Sequence, residues 1–271
     1  MTVALIVSVY KDIGSLKVIL DALRFQTYTD FEIVISEDGN SAEMREFVSN
    51  YPFSNPVRHV TQPDEGWRKN KALNNAILST SASYLIFIDG DCVLHHKFIE
   101  NHLRLASPKG IVAGKRVKMG PKYSDLFRAN IGNLLLLETT VEKEMLGMKQ
   151  DRAKFYEEAF YFNPSGILGF IPRFRKMTYL KGCNMSFYRE AIEAINGFDE
   201  DYKLPAVGED ADLAWRFQGL GYKLISARNL AVQYHLYHKE NWTDQSENMA
   251  MMQKKMMAKE YICRNGLSKL I

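Results

Sequence analysis

The chain has 271 residues, of which 46% are hydrophobic and 25% charged, so it can bury a sizeable core as one large α/β domain or one with an appended subdomain. A formal net charge of +3 is too small to argue for nucleic acid, although basic residues gather at Arg173, Arg175, Lys176 and Lys181 and again at Lys254, Lys255 and Lys259. Three widely separated cysteines, Cys92, Cys183 and Cys263, with no CxxC, indicate neither a disulfide framework nor a structural zinc site and make a reducing cytoplasm the default.

Val3–Val9 is strand-like almost from the first residue, with no basic n-region and no cleavage pattern, so no signal peptide is expected. No apolar stretch approaches bilayer length, Leu134–Leu137 being far too short, which leaves at most peripheral membrane contact. Thr2–Tyr10 reads as a buried strand, followed by a loop (Lys11–Gly14) and a helix with Leu16, Ile19, Leu20 and Leu23 on its apolar side. Phe31–Ser36 is a further strand, ending in the acidic turn Glu37-Asp38-Gly39-Asn40. Glu43–Val48 reads as a short helix and Val57–Val60 as a short strand. This alternation is the signature of a parallel sheet with crossover helices.

The segment Asp64–Ile77 is helical in its second half. Arg68 and Lys71 are three apart and share one side near the helix start. They either meet an anionic ligand or form a solvated face. The helix leads into Tyr84-Leu85-Ile86-Phe87-Ile88-Asp89-Gly90-Asp91-Cys92. An unbroken apolar run bounded by a turn reads as a strand buried on both faces. Its two carboxylates emerge at the C-terminal end, where open α/β sheets place their ligands. Gly90 lets the backbone turn tightly enough for both to serve one site. Carboxylates so close repel unless a cation joins them, and oxygen ligands suit Mg²⁺ or Mn²⁺. A surface turn with solvated aspartates is the plain alternative.

Phe98–Leu105 reads as a helix and Gly110–Val117 as a strand, after which the alternation stops. Residues 119–178 form an insertion with a helical half, Ser124 to about Met148, and an aromatic half punctuated by Pro164, Gly166, Gly169 and Pro172. It is either a specificity loop on a rigid frame or a second small core. Tyr179–Tyr188 returns to strand, Glu190–Ile195 to helix, and Gly208–Phe217 is a helix opened by acidic residues. There Asp210 or Asp212 either caps the helix or offers a fixed general base. Tyr222–Ile225 and Ala231–Tyr234 are the last strands. His235 and His238 follow, and neutral imidazole can complete a carboxylate-bound Mn²⁺ site. A Met-rich amphipathic helix, Asn248–Cys263, ends the chain. The G-x-G-x-x-G, P-loop and G-x-S-x-G patterns are absent.

Taken in order, VSVYK, SEDGN, DEGWRKNKALNNAI, YLIFIDGDC, KGCNMSF, NGFDE, GEDADLAWRF and H-x-x-H resemble the GT-A nucleotide-sugar glycosyltransferases of family 2, the group that builds bacterial surface polysaccharides. The resemblance covers the chain apart from the insertion. The block from KGCNMSF to GEDADL is also similar to chondroitin-polymerase-type, β-1,4-galactosyltransferase-type and polypeptide N-acetylgalactosaminyltransferase-type enzymes. It implies a GT-A fold: a Rossmann-like, mostly parallel central sheet flanked by helices. It divides the chain into a nucleotide-binding half (1–118), the insertion (119–178), an acceptor and catalytic half (179–247) and a C-terminal helix (248–271).

By position, the resemblance implies that Val9, Tyr10 and Asp38 hold the uridine and that Arg68 and Lys71 flank base or phosphate. Asp89, Gly90 and Asn184 belong to the nucleotide-sugar site, with Asp89 near the ribose. Asp91 ligates Mn²⁺ or Mg²⁺ together with His238, or with His235 in its place. Asp210 is the catalytic base, and Glu209 contacts acceptor or donor sugar. Where relatives have Gly-Trp-Gly before Glu-Asp, this chain has Pro205-Ala206-Val207-Gly208, so the donor sugar does not carry over. The implied activity is inverting, metal-dependent transfer from a UDP-sugar to a glycan or lipid-linked acceptor at the cytoplasmic face. A non-catalytic nucleotide-sugar or glycan-binding module on the same fold is the alternative. Phe170–Tyr179 and the C-terminal helix are candidates for peripheral membrane contact.

Overall fold

A computed structural model describes residues 1–205, 207–239 and 243–270; Ala206 of the Pro205–Gly208 stretch and Ile271 of the C-terminal segment lie outside the described residues. The first half alternates β1 (Val3–Val9), α1 (Ile13–Leu23), β2 (Glu32–Glu37), α2 (Ala42–Asn50), β3 (Val57–Val60), α3 (Lys69–Ser79) and β4 (Tyr84–Asp89). Next come β5 (Cys92–Leu94), α4 (Phe98–Arg104), β6 (Gly110–Ala113) and β7 (Val117–Lys118), then the helices α5 (Pro121–Asn130), α6 (Leu134–Lys143) and α7 (Met145–Gln150). The remainder is β8 (Met185–Tyr188), α8 (Arg189–Ala194), α9 (Ala211–Gly219), β9 (Lys223–Ser226), β10 (Gln233–His235) and α10 (Ser246–Met257).

Among the described residues seven strands form a central sheet in the order β3-β2-β1-β4-β8-β6-β9. The strands are parallel except β8, which runs antiparallel to both β4 and β6. Alternate residues feed two cores on opposite faces. Leu5, Val7, Ile33, Ile35, Ile86 and Ile88 pack with α1 on one. Ala4, Ile6, Val34, Leu85 and Phe87 pack with α3, α8 and α9 on the other. Burial on both faces is why these strands read as continuous apolar runs.

The topology collects the site at one edge. Ser8 lies beside Asp89 and Val9 beside Glu37, so the C-terminal ends of β1, β2 and β4 emerge together. Because β8 is reversed, with Phe87 opposite Met185, the loop before it reaches the same edge. A second sheet, β5-β10-β7, sets His235 opposite Cys92.

The expected strand Gly110–Val117 is two strands in different sheets. The chain leaves the central sheet after Ala113, and Val117 pairs with Tyr234. Tyr179–Asn184 is loop, not strand; pairing starts at Met185. The expected helical half, Ser124 to about Met148, is helical in three pieces, interrupted by a 3-10 turn at Ile131–Asn133 and again at Glu144. Its buried side chains, among them Phe127, Leu134 and Val141, join the core that α1 faces. The helical half therefore extends the main core and does not form a second small one, while the aromatic half exposes Phe155, Phe160, Phe170 and Phe174. The C-terminal helix stops at Met257, and its Met249, Met256 and Met257 are exposed.

Candidate active site

A cavity of about 580 Å³ opens at the shared strand edge, lined by Val9, Tyr10, Asp38, Trp67, Lys69, Asp89, Gly90, Asp91 and His238 among others. Its floor is the turn at Gly90, whose N–H donates to the Ser8 carbonyl at 2.7 Å. A Cβ on Gly90 would stand 2.7 Å from Val9 Cγ1 and 2.9 Å from that carbonyl oxygen, so only glycine lets the acidic turn close on β1. At one wall, Asp38 accepts from Gln62 Nε2 and from the Arg68 backbone N–H, both at 2.8 Å.

The two aspartates of the turn face different partners. Asp89 Oδ1 lies 2.7 Å from Lys69 Nζ and Oδ2 lies 3.3 Å from Arg116 Nη1. Asp91 faces imidazoles: its Oδ2 is 3.2 Å from Nε2 of both His235 and His238. Burial opposes ionisation of Asp91, but the two histidines overrule it and hold the carboxyl well below its usual range. Donor atoms in neighbouring positions on one octahedral ion stand roughly 3 Å apart, from metal–ligand distances of about 2.1 Å. Asp91 with each imidazole has that spacing, so Asp91, His235 and His238 could share a divalent cation, and the mixed oxygen and imidazole set suits Mn²⁺ better than Mg²⁺.

Lys69 was not anticipated by spacing. It opens α3, and its Nζ also reaches Glu209 Oε2 at 2.6 Å. Burial works against the Lys69 ammonium, yet Asp89 and Glu209 more than offset it and raise its pKa. Lys71 lies about 200° further round the helix and does not line the cavity among the described residues. Arg68 enters through its backbone, while its guanidinium turns back to the Trp67 carbonyl at 2.8 Å. Asn184 also needs correction. It is fully buried, donating to the carbonyls of Lys115 at 2.8 Å and Ala231 at 3.1 Å. Its amide is consumed in pinning the loop before β8, so it holds that loop and does not open on the cavity.

Asp210 precedes α9 but makes no side-chain cap. Its Oδ1 accepts from the Gly182 N–H at 2.5 Å, and Oδ2 lies 3.6 Å from Lys181 Nζ. Burial raises the Asp210 carboxyl above its ordinary value, with Lys181 pulling the other way. Burial likewise raises Glu209, with Lys69 opposing. Asp212 is separate: it is buried against Arg216, Oδ2 to Nε at 2.6 Å, and accepts from Tyr202. That pair fixes the start of α9, because Arg216 also donates to the carbonyls of Ile195 and Gly197 at 2.8 Å.

Residues 4–195 match the sequence model described as glycosyl transferase family 2, and residues 172–239 match one described as the N-terminal domain of galactosyltransferase. A chondroitin synthase from Escherichia coli is 22% identical over 82% of this chain and 33% of its own. The chain spans less than half the length of the curated relatives it matches. A mannosyltransferase from Pyrobaculum calidifontis in complex with GDP-Man and Mn²⁺ superposes with a TM-score of 0.56 at 17% identity, covering 95% of this chain and 62% of that one. S. aureus TarS in complex with UDP-GlcNAc gives 0.58 at 13%, covering 96% and 66%. These likenesses identify the fold as GT-A. With its match over residues 4–195, the chain belongs to glycosyl transferase family 2.

Proposed function

We propose that the protein transfers a hexose or N-acetylhexosamine from a UDP-sugar to a glycan or lipid-linked acceptor, with inversion and with a divalent cation, on the cytoplasmic side. The observation that carries this reading is the convergence, at one strand edge, of an Asp91–His235–His238 cluster and a separately fixed carboxylate, Asp210. A cation held by the three would neutralise charge on the departing diphosphate. Lys69 and Arg116 already take both oxygens of Asp89, which leaves Asp91 for the cation and Asp89 for the ribose side. The wall at Val9, Tyr10 and Asp38 takes the uridine.

Asp210 acts as base. The acceptor hydroxyl oxygen attacks the anomeric carbon while its proton passes to Asp210. The bond from that carbon to the diphosphate oxygen breaks, and its electron pair leaves with UDP. One displacement inverts the configuration. The Gly182 N–H holds Asp210 in place, and burial, by raising its pKa above the ordinary carboxylate value, makes it a stronger base. Glu209, paired with Lys69, borders the transferred sugar.

The test is UDP release across a panel of UDP-sugars, with Mn²⁺ or chelator, on wild type, Asp91→Ala and Asp210→Asn. Release from one donor, abolished by chelator and lowered by roughly 10²–10⁴-fold in Asp210→Asn, is expected. Absence of both turnover and UDP–Mn²⁺ binding by calorimetry would sink the reading; binding without turnover, even with an acceptor panel, would leave the binding-module alternative.

Among the described residues no helix is long and apolar enough to cross a membrane. The stretch Phe170–Tyr179, with Phe174 exposed at 76% beside Arg173 and Lys176, and the C-terminal helix with its exposed Met257 are the proposed peripheral contacts with an anionic bilayer. Absence of co-sedimentation with anionic vesicles would remove them.

A further inference from the structure

A second cavity, about 440 Å³, is lined by Lys115, Arg116, Lys118, Phe155, Tyr179 and Lys181. It abuts the catalytic groups. Arg116 reaches Asp89 at 3.3 Å and Lys181 reaches Asp210 at 3.6 Å. Its aromatic rings are open to solvent, Phe155 at 45% and Tyr179 at 40%. Phe155 holds φ at 57°, a left-handed backbone that is costly for a bulky residue and clusters at functional sites. The lysines stand over these rings: Lys115 Nζ lies 5.4 Å from the Phe155 centroid and 5.8 Å from that of Tyr179, and Lys181 Nζ lies 5.4 Å from the Tyr179 centroid.

Positive charge here exceeds what neighbouring carboxylates balance. Glu158, buried behind the cavity, is shared by Lys115 at 3.8 Å, Arg175 at 3.0 Å and Arg228. Asp89 is shared by Arg116 and Lys69, Lys69 also has Glu209, and Lys181 has Asp210, which among the described residues sets four carboxylates, Glu158 included, against the six cations Lys69, Lys115, Arg116, Arg175, Lys181 and Arg228. A cleft lined by one sign of charge concentrates ligands of the other. The solvent-exposed parts of Phe155 and Tyr179 that the lysines leave uncovered present an apolar surface on which the C–H face of a sugar ring can lie.

We propose that this cavity is the acceptor subsite and that the acceptor is an anionic saccharide, bearing a carboxylate or a phosphate on or next to the ring that receives the transferred sugar. The proposal rests on the glycosyltransfer reading above and names its acceptor class. The ring lies against Tyr179 and Phe155, the anionic group meets Lys115 and Arg116, and the attacking hydroxyl faces Asp210 beside Lys181.

The experiment is calorimetric titration of the full chain with three probes of equal size, in the presence of UDP and Mn²⁺ and again without them. The probes are a disaccharide ending in glucuronic acid, its methyl ester, and a neutral disaccharide 1-phosphate. One anionic probe is expected to bind roughly 10-fold or more tightly than the neutral ester, with the margin shrinking as salt is added. Preference for the glucuronide assigns a carboxylate acceptor; preference for the 1-phosphate assigns a phosphate-linked one. Lys115→Gln is expected to narrow the margin and Tyr179→Ala to weaken all three probes. Equal binding of acid, ester and phosphate at low salt, or no saturable binding of any, overturns the proposal. Neither result depends on turnover: an intact anionic preference with no UDP release from any donor would instead overturn the glycosyltransfer reading.

Discussion

Lys69 Nζ lies 2.6 Å from Glu209 Oε2, which ties the start of α3 to the residues just before α9. The same ammonium holds Asp89 at 2.7 Å, so one cation separates two carboxylates that would otherwise repel each other beside the cavity. Lys69→Met removes the shared partner and leaves two buried acids facing each other. We expect UDP release to fall by roughly 10²-fold, with Lys69→Arg recovering part of it. Retention of full turnover by Lys69→Met, measured at saturating donor, would remove Lys69 from the machinery.

Gly90→Ala tests the floor of the site. The added methyl meets Ser8 backbone at 2.9 Å and Val9 Cγ1 at 2.7 Å, and backbone cannot give way as a flexible side chain can. Overpacking of this kind costs typically 1–3 kcal/mol, and here it also pushes the turn bearing both aspartates off β1. Expected are a lower melting temperature and a larger loss of Mn²⁺–UDP affinity. Unchanged affinity in a folded variant would show that the close approach is dispensable.

His235 and His238 stand at the same distance from one oxygen of Asp91, so the proposed cation would draw on both, not on one in place of the other. Each single alanine variant is expected to weaken Mn²⁺ binding, read by calorimetry or electron paramagnetic resonance, by roughly 10–100-fold, as removal of supporting groups at metal sites does. A variant of either histidine that binds Mn²⁺ as the wild type does would strike that residue from the set.

The edge that carries the site was legible because its strands are buried on both faces. Two alternating cores demand unbroken apolar runs, and the acidic turns after Ser36 and Ile88 must then emerge on the same side. The paired aspartates Asp89 and Asp91 and the two histidines stand out in such local patterns, whereas Asp210 is separated from Asp212 only by the family resemblance. Lys69 and Arg116 do not stand out. Their pairing with Asp89 arises only when α3 and the link between β6 and β7 are folded onto the sheet. A rule of three-residue spacing pointed to Arg68 and Lys71, although in WRKNK the residue that opens the helix is the one aimed inward. Asn184 misled for the opposite reason: a polar residue before a strand looks available, but its amide is spent on carbonyls of two other segments. Likewise, Gly110–Val117 has apolar ends that suit one strand, and although Gly114, Lys115 and Arg116 interrupt it, nothing local says that its two ends pair in different sheets.

Beneath the site His102 is fully buried, with Nδ1 2.7 Å from Ser186 Oγ and Nε2 3.1 Å from Asn184 Oδ1. Burial lowers its pKa from 6.5 to about 3. The unfolded chain therefore binds a proton that the folded chain refuses at any pH between those two values. Stability from this group is fully present above 6.5 and is lost as pH falls toward 3. At pH about 5 the loss is about 2 kcal/mol, from 1.36 kcal/mol per unit of pKa. Because Asn184 pins the loop that carries Lys181 and Gly182, the acid sensitivity should reach the Asp210 side of the site as well. Urea unfolding of wild type and His102→Gln, compared near neutral pH and at pH about 5, reads this directly. The variant is expected to be less stable at neutral pH but to lose less on acidification. Equal acid slopes for the two proteins would show that His102 is not the group that titrates.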